Sequence, residues 1–366
     1  MSKIVIDARE LRTSTGRYIE RLLYYLQRID QKHDYTILLK PQDMTSWRPS
    51  NPRFQAMVCT YKEFTFGEQL GFKKQLAGLS ADLVHFGMTQ QPVLYRGRTV
   101  TTVHDLTTTR FQNPDKNPVL YKVKQCVYRW VIKRVARKST ALLTPTQFVK
   151  DDLVAFSGID PAKVIVTLEA ADPIVEAAES LSELVGKDFI MYVGRPTPHK
   201  NLERLLEAFA VLQVDRPDLR LVLAGKTDAN YRRIAAAVQA RELQNVVFTG
   251  FISEGQLRWL YENCAAYVFP SLSEGFGLPG LEAMLHGAPV VASNATCLPE
   301  VYGAAAHYFD PHDISAMAAA VNDVLTDKKL RAQLIKNGHT QAKKYSWQTM
   351  AKQTLALYEQ VLADKQ

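Results

Sequence analysis

Short apolar runs, each followed by residues at helical spacing, recur from one end of this 366-residue chain to the other. In the first half the runs are Lys3–Ala8, Tyr35–Leu39, Phe54–Cys59, Asp82–Phe86, Val100–His104 and Ala141–Pro145. In the second they are Phe189–Val193, Leu219–Ala224, Val246–Thr249, Ala265–Pro270 and Pro289–Ser293. Runs this short, without strict alternation, suit strands buried on both faces. Between them lie stretches such as Leu202–Leu212, where Leu202, Leu205, Leu206, Phe209 and Leu212 share one helical face. Such alternation predicts an α/β chain with helices on both sides of parallel sheets. Eleven runs exceed one ordinary sheet, so two doubly wound, Rossmann-like domains are expected. The polar stretch Glu176–Lys187 is the expected break, giving domains over 1–180 and 184–345. One more amphipathic helix, Trp347–Leu362, has no strand after it, and residues 346–366 are expected to pack back on the first domain.

Composition narrows the function classes. With 46% hydrophobic and 22% charged residues, the chain is not disordered, collagenous or fibrous. No window approaches roughly 18 consecutive apolar residues, so no spanning helix is expected. The start, Met1–Asp7, meets a charge after three apolar residues and does not read as a secretory leader. Cys59, Cys126, Cys264 and Cys297 form no close pair and read as buried thiols of a cytoplasmic protein. Lys and Arg number 45 against 37 Asp and Glu, a formal charge of +8. Such a balance favours an anionic partner: nucleic acid, a phosphorylated small molecule or an anionic membrane.

Two nucleotide motifs fail on inspection. No strand–helix turn carries Gly-x-Gly-x-x-Gly. Gly225-Lys226-Thr227 imitates the end of a phosphate-binding P-loop, but Arg220 stands where the motif needs glycine. There is also no Asp-x-Asp to hold a metal on a diphosphate, so neither metal nor cofactor is expected. The informative stretch is Ser273–Met284, after the run Ala265–Pro270. Gly275 and Gly277 allow close backbone approach, and Pro279 suits a helix start. The amides of Phe276, Gly277 and Leu278 would face an anion there. Glu274 and Glu282 flank the loop, and carboxylates beside a phosphate site are suited to accept from sugar hydroxyls. A second constellation, Gly194–Asn201, places Arg195 and Lys200 above another helix start, where they can neutralise a departing diphosphate. His199 in that loop reads as exposed. A third, His104-Asp105, ends the run Val100–His104, the end at which open parallel sheets bind ligands.

These residues resemble the retaining glycosyltransferases of family 4, which have the two-domain GT-B fold. Glu274–Glu282 resembles that family's Glu-x7-Glu motif, and Tyr192–Phe209 its Arg/Lys diphosphate loop. Gly287–Ser293, Leu298–Val301 and the start of a cross-over helix at Tyr345-Ser346-Trp347 extend the likeness. Gly16-Arg17-Tyr18, His104-Asp105 and Thr144–Lys150 resemble the mannosyltransferase-type subgroup. The resemblance implies a first domain for the acceptor and a second for a nucleotide-sugar donor. It gives Glu282 the ribose hydroxyls and Glu274 the sugar's hydroxyls. Arg195, Lys200 and the amides of Phe276–Leu278 would take the diphosphate, with Gly16 meeting it from the first domain. His104 would sit beside the reacting sugar, with Arg17, Tyr18 and Asp105 toward the acceptor. The implied reaction is hexose transfer with retention, first of all mannose from GDP-mannose, to a glycan or polyprenyl-linked acceptor in polysaccharide biosynthesis. Two departures stand out: one glycine in Thr13–Gly16, and Leu168–Asp172 in place of an Asn-Gly before the aspartate.

Val119–Lys138 carries apolar residues at 119, 123, 127, 131 and 135, with Lys122, Arg129, Lys133 and Arg137 along another face. Two readings stay open for it: a solvated basic face over a core-facing stripe, or peripheral docking on an anionic membrane. Among whole-protein rivals, a sugar-nucleotide epimerase or phosphorylase of the same fold competes with transfer. Nucleic-acid binding is disfavoured, because the basic residues are dispersed and the two glutamates would repel a phosphate backbone.

Overall fold

The computed structural model of the chain describes residues 1–13, 16–111 and 118–364, the side chains of 118–120 excepted. It divides into two compact units. Unit 1 comprises Met1–Arg110, Asp115–Glu169 and Ser346–Gln366; unit 2 comprises Ala170–Tyr345 with Phe111–Pro114.

Unit 1 contains β1 (Lys3–Asp7), β2 (Asp34–Leu39), β3 (Phe54–Val58), β4 (Leu83–Phe86), β5 (Thr99–Thr102), β6 (Ala141–Thr144) and β7 (Val164–Val166). They pair in parallel in the order β3-β2-β1-β4-β5-β6-β7. The order reverses at β1, so a crevice opens between the C-terminal ends of β1 and β4. Ile4, Val5 and Ile6 of β1 are fully buried, as continuous apolar runs require. The helix Gly16–Ile29 closes over them with Tyr18, Ile19, Leu22, Leu23 and Leu26, spaced three and four apart. A Cβ on Gly16 would lie 2.1 Å from the Leu11 carbonyl oxygen, so close backbone approach demands glycine there. Ser14 and Thr15 of the expected loop lie outside the described residues.

The terminal helix, Trp347–Ala363, packs on the helix Gly16–Ile29, as the sequence suggests. Met350, Ala351, Leu357, Tyr358 and Val361 carry the contact side.

Unit 2 contains β8 (Phe189–Val193), β9 (Arg220–Ala224), β10 (Val246–Gly250), β11 (Ala266–Phe269), β12 (Val290–Ser293) and β13 (Ala306–Phe309). The order is β10-β9-β8-β11-β12-β13, again parallel throughout. Its reversal falls between β8 and β11. Leu202, Leu205, Leu206, Phe209 and Leu212 are all buried on the helix Leu202–Asp215, as their spacing predicts.

Four expectations need correction. Strands β7 and β13 were not among the apolar runs; both are short sheet edges, paired on one side only. The passage into unit 2 comes at Ala170, ahead of the polar stretch. The stretch before β8 is tied to unit 2: the Ile174 amide donates to His286 Nε2 at 3.0 Å and the Glu179 amide to the Gly255 carbonyl at 3.0 Å. Cys126 is exposed, whereas Cys59, Cys264 and Cys297 are buried thiols. The apolar stripe of the helix Pro118–Lys138 faces the core only at its far end: Val135 is fully buried, whereas Val123 and Val127 are 57% and 56% exposed. That helix docks through its second half, where Ile132 and Ala136 join Val103, Leu142, Leu153 and Val164.

Candidate functional site

In unit 2 the loops leaving β8 and β11 meet across the point of reversal. Lys200 Nζ donates to Glu274 Oε1 at 2.5 Å, and both side chains are mostly buried. The ammonium also lies 5.5 Å from the centre of the Phe269 ring. The first loop is pinned by Asn201, which adopts a left-handed conformation that asparagine tolerates. Its Nδ2 donates to the carbonyls of Pro270 and Pro311, at 3.1 and 2.8 Å. The second loop is held by Thr296, whose Oγ1 accepts from the Glu274 amide at 3.1 Å. Cys297 Sγ donates to the Glu274 carbonyl at 3.3 Å. Burial, then the charges of Glu274 and Glu300, push that thiol well up, so it stays protonated.

Gly277 ends the loop at φ +90° and precedes the helix Leu278–Leu285, with Pro279 in the first turn. Tyr302 donates to its carbonyl at 2.6 Å. The glycine is required by packing as much as by φ: a Cβ would lie 2.5 Å from the Tyr302 hydroxyl and 2.7 Å from Leu298 Cδ2. Phe276 is buried and meets the Tyr345 ring edge-on at 5.4 Å. Leu278 opens the helix, and Glu282 is buried one turn further on. The structure therefore gathers Lys200, Glu274, the amide-bearing loop and Glu282 around one helix start.

Arg195 stands apart from that group. Its guanidinium is 72% exposed and donates to Asp228 Oδ2 at 2.7 Å. Asp228 in turn caps the helix Ala229–Ala240 through the Tyr231 amide. His199, expected on the surface, is half-buried.

In unit 1 His104 follows β5 and reaches toward the reversal beside β4. Its Nδ1 lies 3.1 Å from Glu169 Oε1, and its Nε2 donates to the Gly87 carbonyl at 3.0 Å. Burial disfavours charge on the ring, but the hydrogen bond and charge of Glu169 outweigh it and raise the pKa above the usual histidine value. Asp105 Oδ1 accepts from the Thr107 amide at 2.8 Å, a turn cap. Arg17 is exposed. Tyr18, expected toward the acceptor, is instead buried: its hydroxyl is 2.9 Å from Thr102 Oγ1 and its ring meets His104 edge-on at 4.9 Å. Tyr18 thus supports His104 from beneath.

A buried polar line extends from there. His85 Nε2 is 2.9 Å from the same Thr102 hydroxyl, and its Nδ1 is hydrogen-bonded to Tyr358 of the terminal helix. Burial, then the charge of His104, lowers the His85 pKa to about 3, so this ring is neutral.

Sequence reasoning did not find the roles of Glu169, Asp228 and Thr296. Their partners lie 65, 33 and 22 positions away, beyond any local spacing rule. Asn201 was visible in the loop, and its tolerance of positive φ was the available signal. Among the described residues, no group of three or more His, Cys, Asp or Glu side chains could hold a metal ion.

Residues 15–172 match the family described as Glycosyltransferase Family 4, and residues 176–341 match Glycosyl transferases group 1. The O-antigen chain mannosyltransferase B of Escherichia coli is 32% identical over 279 residues, which are 72% of this chain and 70% of that protein. The MMP alpha-(1->4)-mannosyltransferase of Mycolicibacterium hassiacum is 32% identical over 251 residues, 66% of this chain and 60% of that one. The solved structure of sucrose-phosphate synthase from Thermosynechococcus elongatus superposes with a TM-score of 0.78 at 20% identity, covering 100% of both chains.

Proposed function

This chain belongs to glycosyltransferase family 4, and on that premise we propose that it transfers mannose from GDP-mannose to a hydroxyl of a lipid-linked glycan, with retention and without a metal ion. Its two parallel-sheet units are of the Rossmann-like type found in GT-B glycosyltransferases. The mannosyltransferase relatives at 32% identity support the choice of sugar.

One observation carries the reading: the Lys200–Glu274 pair across the β8–β11 crevice. An ammonium and a carboxylate at one strand-end suit the two halves of a sugar diphosphate. The diphosphate draws Lys200, and the carboxylate freed by that exchange accepts from sugar hydroxyls. Amides at Phe276–Leu278 supply further donors to the phosphates, and Glu282 holds the ribose hydroxyls. Arg195 leaves an exposed pair with Asp228 to join them, at a cost of about 1 kcal/mol or less. As the glycosidic bond breaks, negative charge grows on the diphosphate, and these fixed cations stabilise that state more than the ground state. Same-face attack follows, with the leaving phosphate accepting the proton of the incoming hydroxyl. Unit 2 binds the donor in this reading, and unit 1, with Gly16, Arg17, Asp105 and His104, serves the acceptor and the reacting sugar.

The acceptor class is argued from the helix Pro118–Lys138. Val123, Val127 and Trp130 stand exposed beside exposed Lys122, Lys124 and Arg129. The exposed Phe64 ring adjoins Tyr128 of the same helix at 6.2 Å. Apolar and aromatic side chains set among cations fit an anionic bilayer surface. No helix among the described residues is long and apolar enough to cross a membrane.

The test is transfer by the purified chain from GDP-mannose, UDP-glucose, ADP-glucose and dTDP-glucose to a polyprenyl-diphosphate glycan, with product configuration read by NMR. An α-linked mannoside that forms equally well in EDTA is expected. An inverted product removes retention. Activity abolished by EDTA and restored by Mg²⁺ removes the metal-free diphosphate site. Isomerised or phosphorolysed donor without transfer removes the transferase reading.

A further inference from the structure

Glu169 is the last residue of unit 1 before the chain passes into unit 2, within the segment where this sequence departs from its family's pattern. Its buried carboxylate meets His104 Nδ1 at 3.1 Å, while His104 Nε2 faces the Gly87 carbonyl at 3.0 Å. A carbonyl oxygen only accepts, so Nε2 carries a hydrogen. A carboxylate anion also only accepts, so opposite the anionic form of Glu169 the Nδ1 carries one as well. Both ring nitrogens are then donors, and no lone pair remains to take a proton from substrate.

We propose that Glu169 is a positioning residue that fixes His104 as the imidazolium, so that His104 serves transfer as a fixed cation and not as a base. The proposal rests on the transferase reading for its consequence and on unit 1 alone for its geometry. A buried carboxylate without a partner is strongly disfavoured, and a charged ring in contact offsets that penalty. The groups facing His104 agree with this assignment. Asp105 adds a second negative charge from the adjoining residue, although its carboxylate also caps the Thr107 turn. Tyr18 packs an uncharged ring edge from the helix Gly16–Ile29, its phenol pKa raised by burial. His85, on β4, is held neutral and adds no opposing charge. A general base poised near neutrality would instead need one ring nitrogen free.

The experiment follows the ring nitrogens of the full chain by NMR with ¹⁵N-histidine, assigned by loss of signal in His104→Gln. In the wild type both nitrogens should keep protonated shifts past the pH at which an ordinary histidine titrates. Glu169→Gln should lower the His104 transition by about 1–3 pH units, and Glu169→Asp by less. An unchanged transition in Glu169→Gln overturns the proposal. If that variant does not fold, the transition in Glu169→Asp decides: a fall supports the clamp, and none overturns it. Transfer is read beside it, where kcat should lose its neutral-pH limb in Glu169→Gln while donor KM changes little. A His104 transition that moves without moving the kcat profile overturns the catalytic half of the proposal and leaves the donor site in unit 2 standing. Absence of transfer by the wild type at every pH, with the transition shifted as expected in Glu169→Gln, would instead count against the transferase reading.

Discussion

Lys200 Nζ and Glu274 Oε1 lie 2.5 Å apart although the two residues are 74 positions apart in sequence. Each side chain is thereby occupied by the other. A ligand with both an anionic and a hydroxyl-bearing part can satisfy both; one with phosphates alone must compete with Glu274 for the lysine.

That competition gives an unequal response to Glu274→Gln. Free GDP should bind as well as to the wild type or more tightly, whereas transfer from the sugar nucleotide should fall about 10- to 150-fold, the worth of one charge-assisted hydrogen bond of about 1.5–3 kcal/mol. Glu282→Ala should weaken nucleotide and nucleotide-sugar alike. Calorimetry with GDP and steady-state kinetics separate the two, and equal loss of GDP binding in both variants would refute the division of labour.

At position 277 the expected change is in folding. Gly277→Ala meets positive φ and the Tyr302 hydroxyl together, so about 1–3 kcal/mol of stability should be lost. In a Tyr302→Phe background the loss should shrink, because the nearest obstructing atom is gone. Urea unfolding measures both. The same loss in either background would show that Tyr302 is not the obstacle.

The buried His85 makes unit 1 sensitive to acid. Its folded pKa, about 3, lies below the ordinary histidine value, so its contribution is present above about pH 6.5 and is lost as pH falls toward 3. Each pH unit in that window removes about 1.4 kcal/mol. His104, raised by Glu169, has the opposite sign: its contribution is present at acid pH and fades only as pH rises through the raised value, so it adds no slope here. His85→Gln retains a polar partner for Thr102 and Tyr358 and should flatten the dependence of unfolding free energy between pH 6.5 and 4.5. Parallel curves for variant and wild type would acquit His85.

The helix Pro118–Lys138 can be tested one chemistry at a time. Replacing exposed Lys122, Lys124 and Arg134 with Gln should cut binding to phosphatidylglycerol vesicles by about 3 kcal/mol, on the order of 100-fold at low salt. Replacing Val123, Val127 and Trp130 with Ser should cut it at high salt too, because apolar contact is not screened. Arg129 is left in place, since its guanidinium lies 4.9 Å from the Phe156 ring and its loss would disturb packing. Undiminished sedimentation of both variants with vesicles would remove this surface from the account.

Much of the fold was legible because buried parallel strands leave unbroken apolar runs, and the central strands of both sheets were found from them. The edges β7 and β13 were not, although the edges β3 and β10 were: β7 has only three residues, and β13 carries His307 among its four. Helical spacing located Pro118–Lys138 but could not say which side faced protein: Val123 and Val127 lie on a regular stripe and still face outward. In the candidate site, loop chemistry named Lys200, Glu274 and Glu282. It could not foresee that Lys200 and Glu274 would neutralise each other, that Arg195 would turn to Asp228, or that Tyr18 would be buried under His104. Those outcomes depend on which loops the sheet order brings together.

The terminal helix Trp347–Ala363 carries a consequence for biosynthesis. Its Tyr358 completes the hydrogen bonding of His85, a residue that leaves the ribosome some 270 positions earlier. Unit 1 is therefore assembled from the first and last parts described, and its core must wait, with one face uncovered, while Ala170–Tyr345 is translated. Unit 2 is nearly continuous and can close as soon as it emerges. We expect unit 2 to close before the terminal helix completes unit 1, against the usual order of first-made domain first. A pause or truncation before residue 346 would release a finished second unit attached to an unfinished first one.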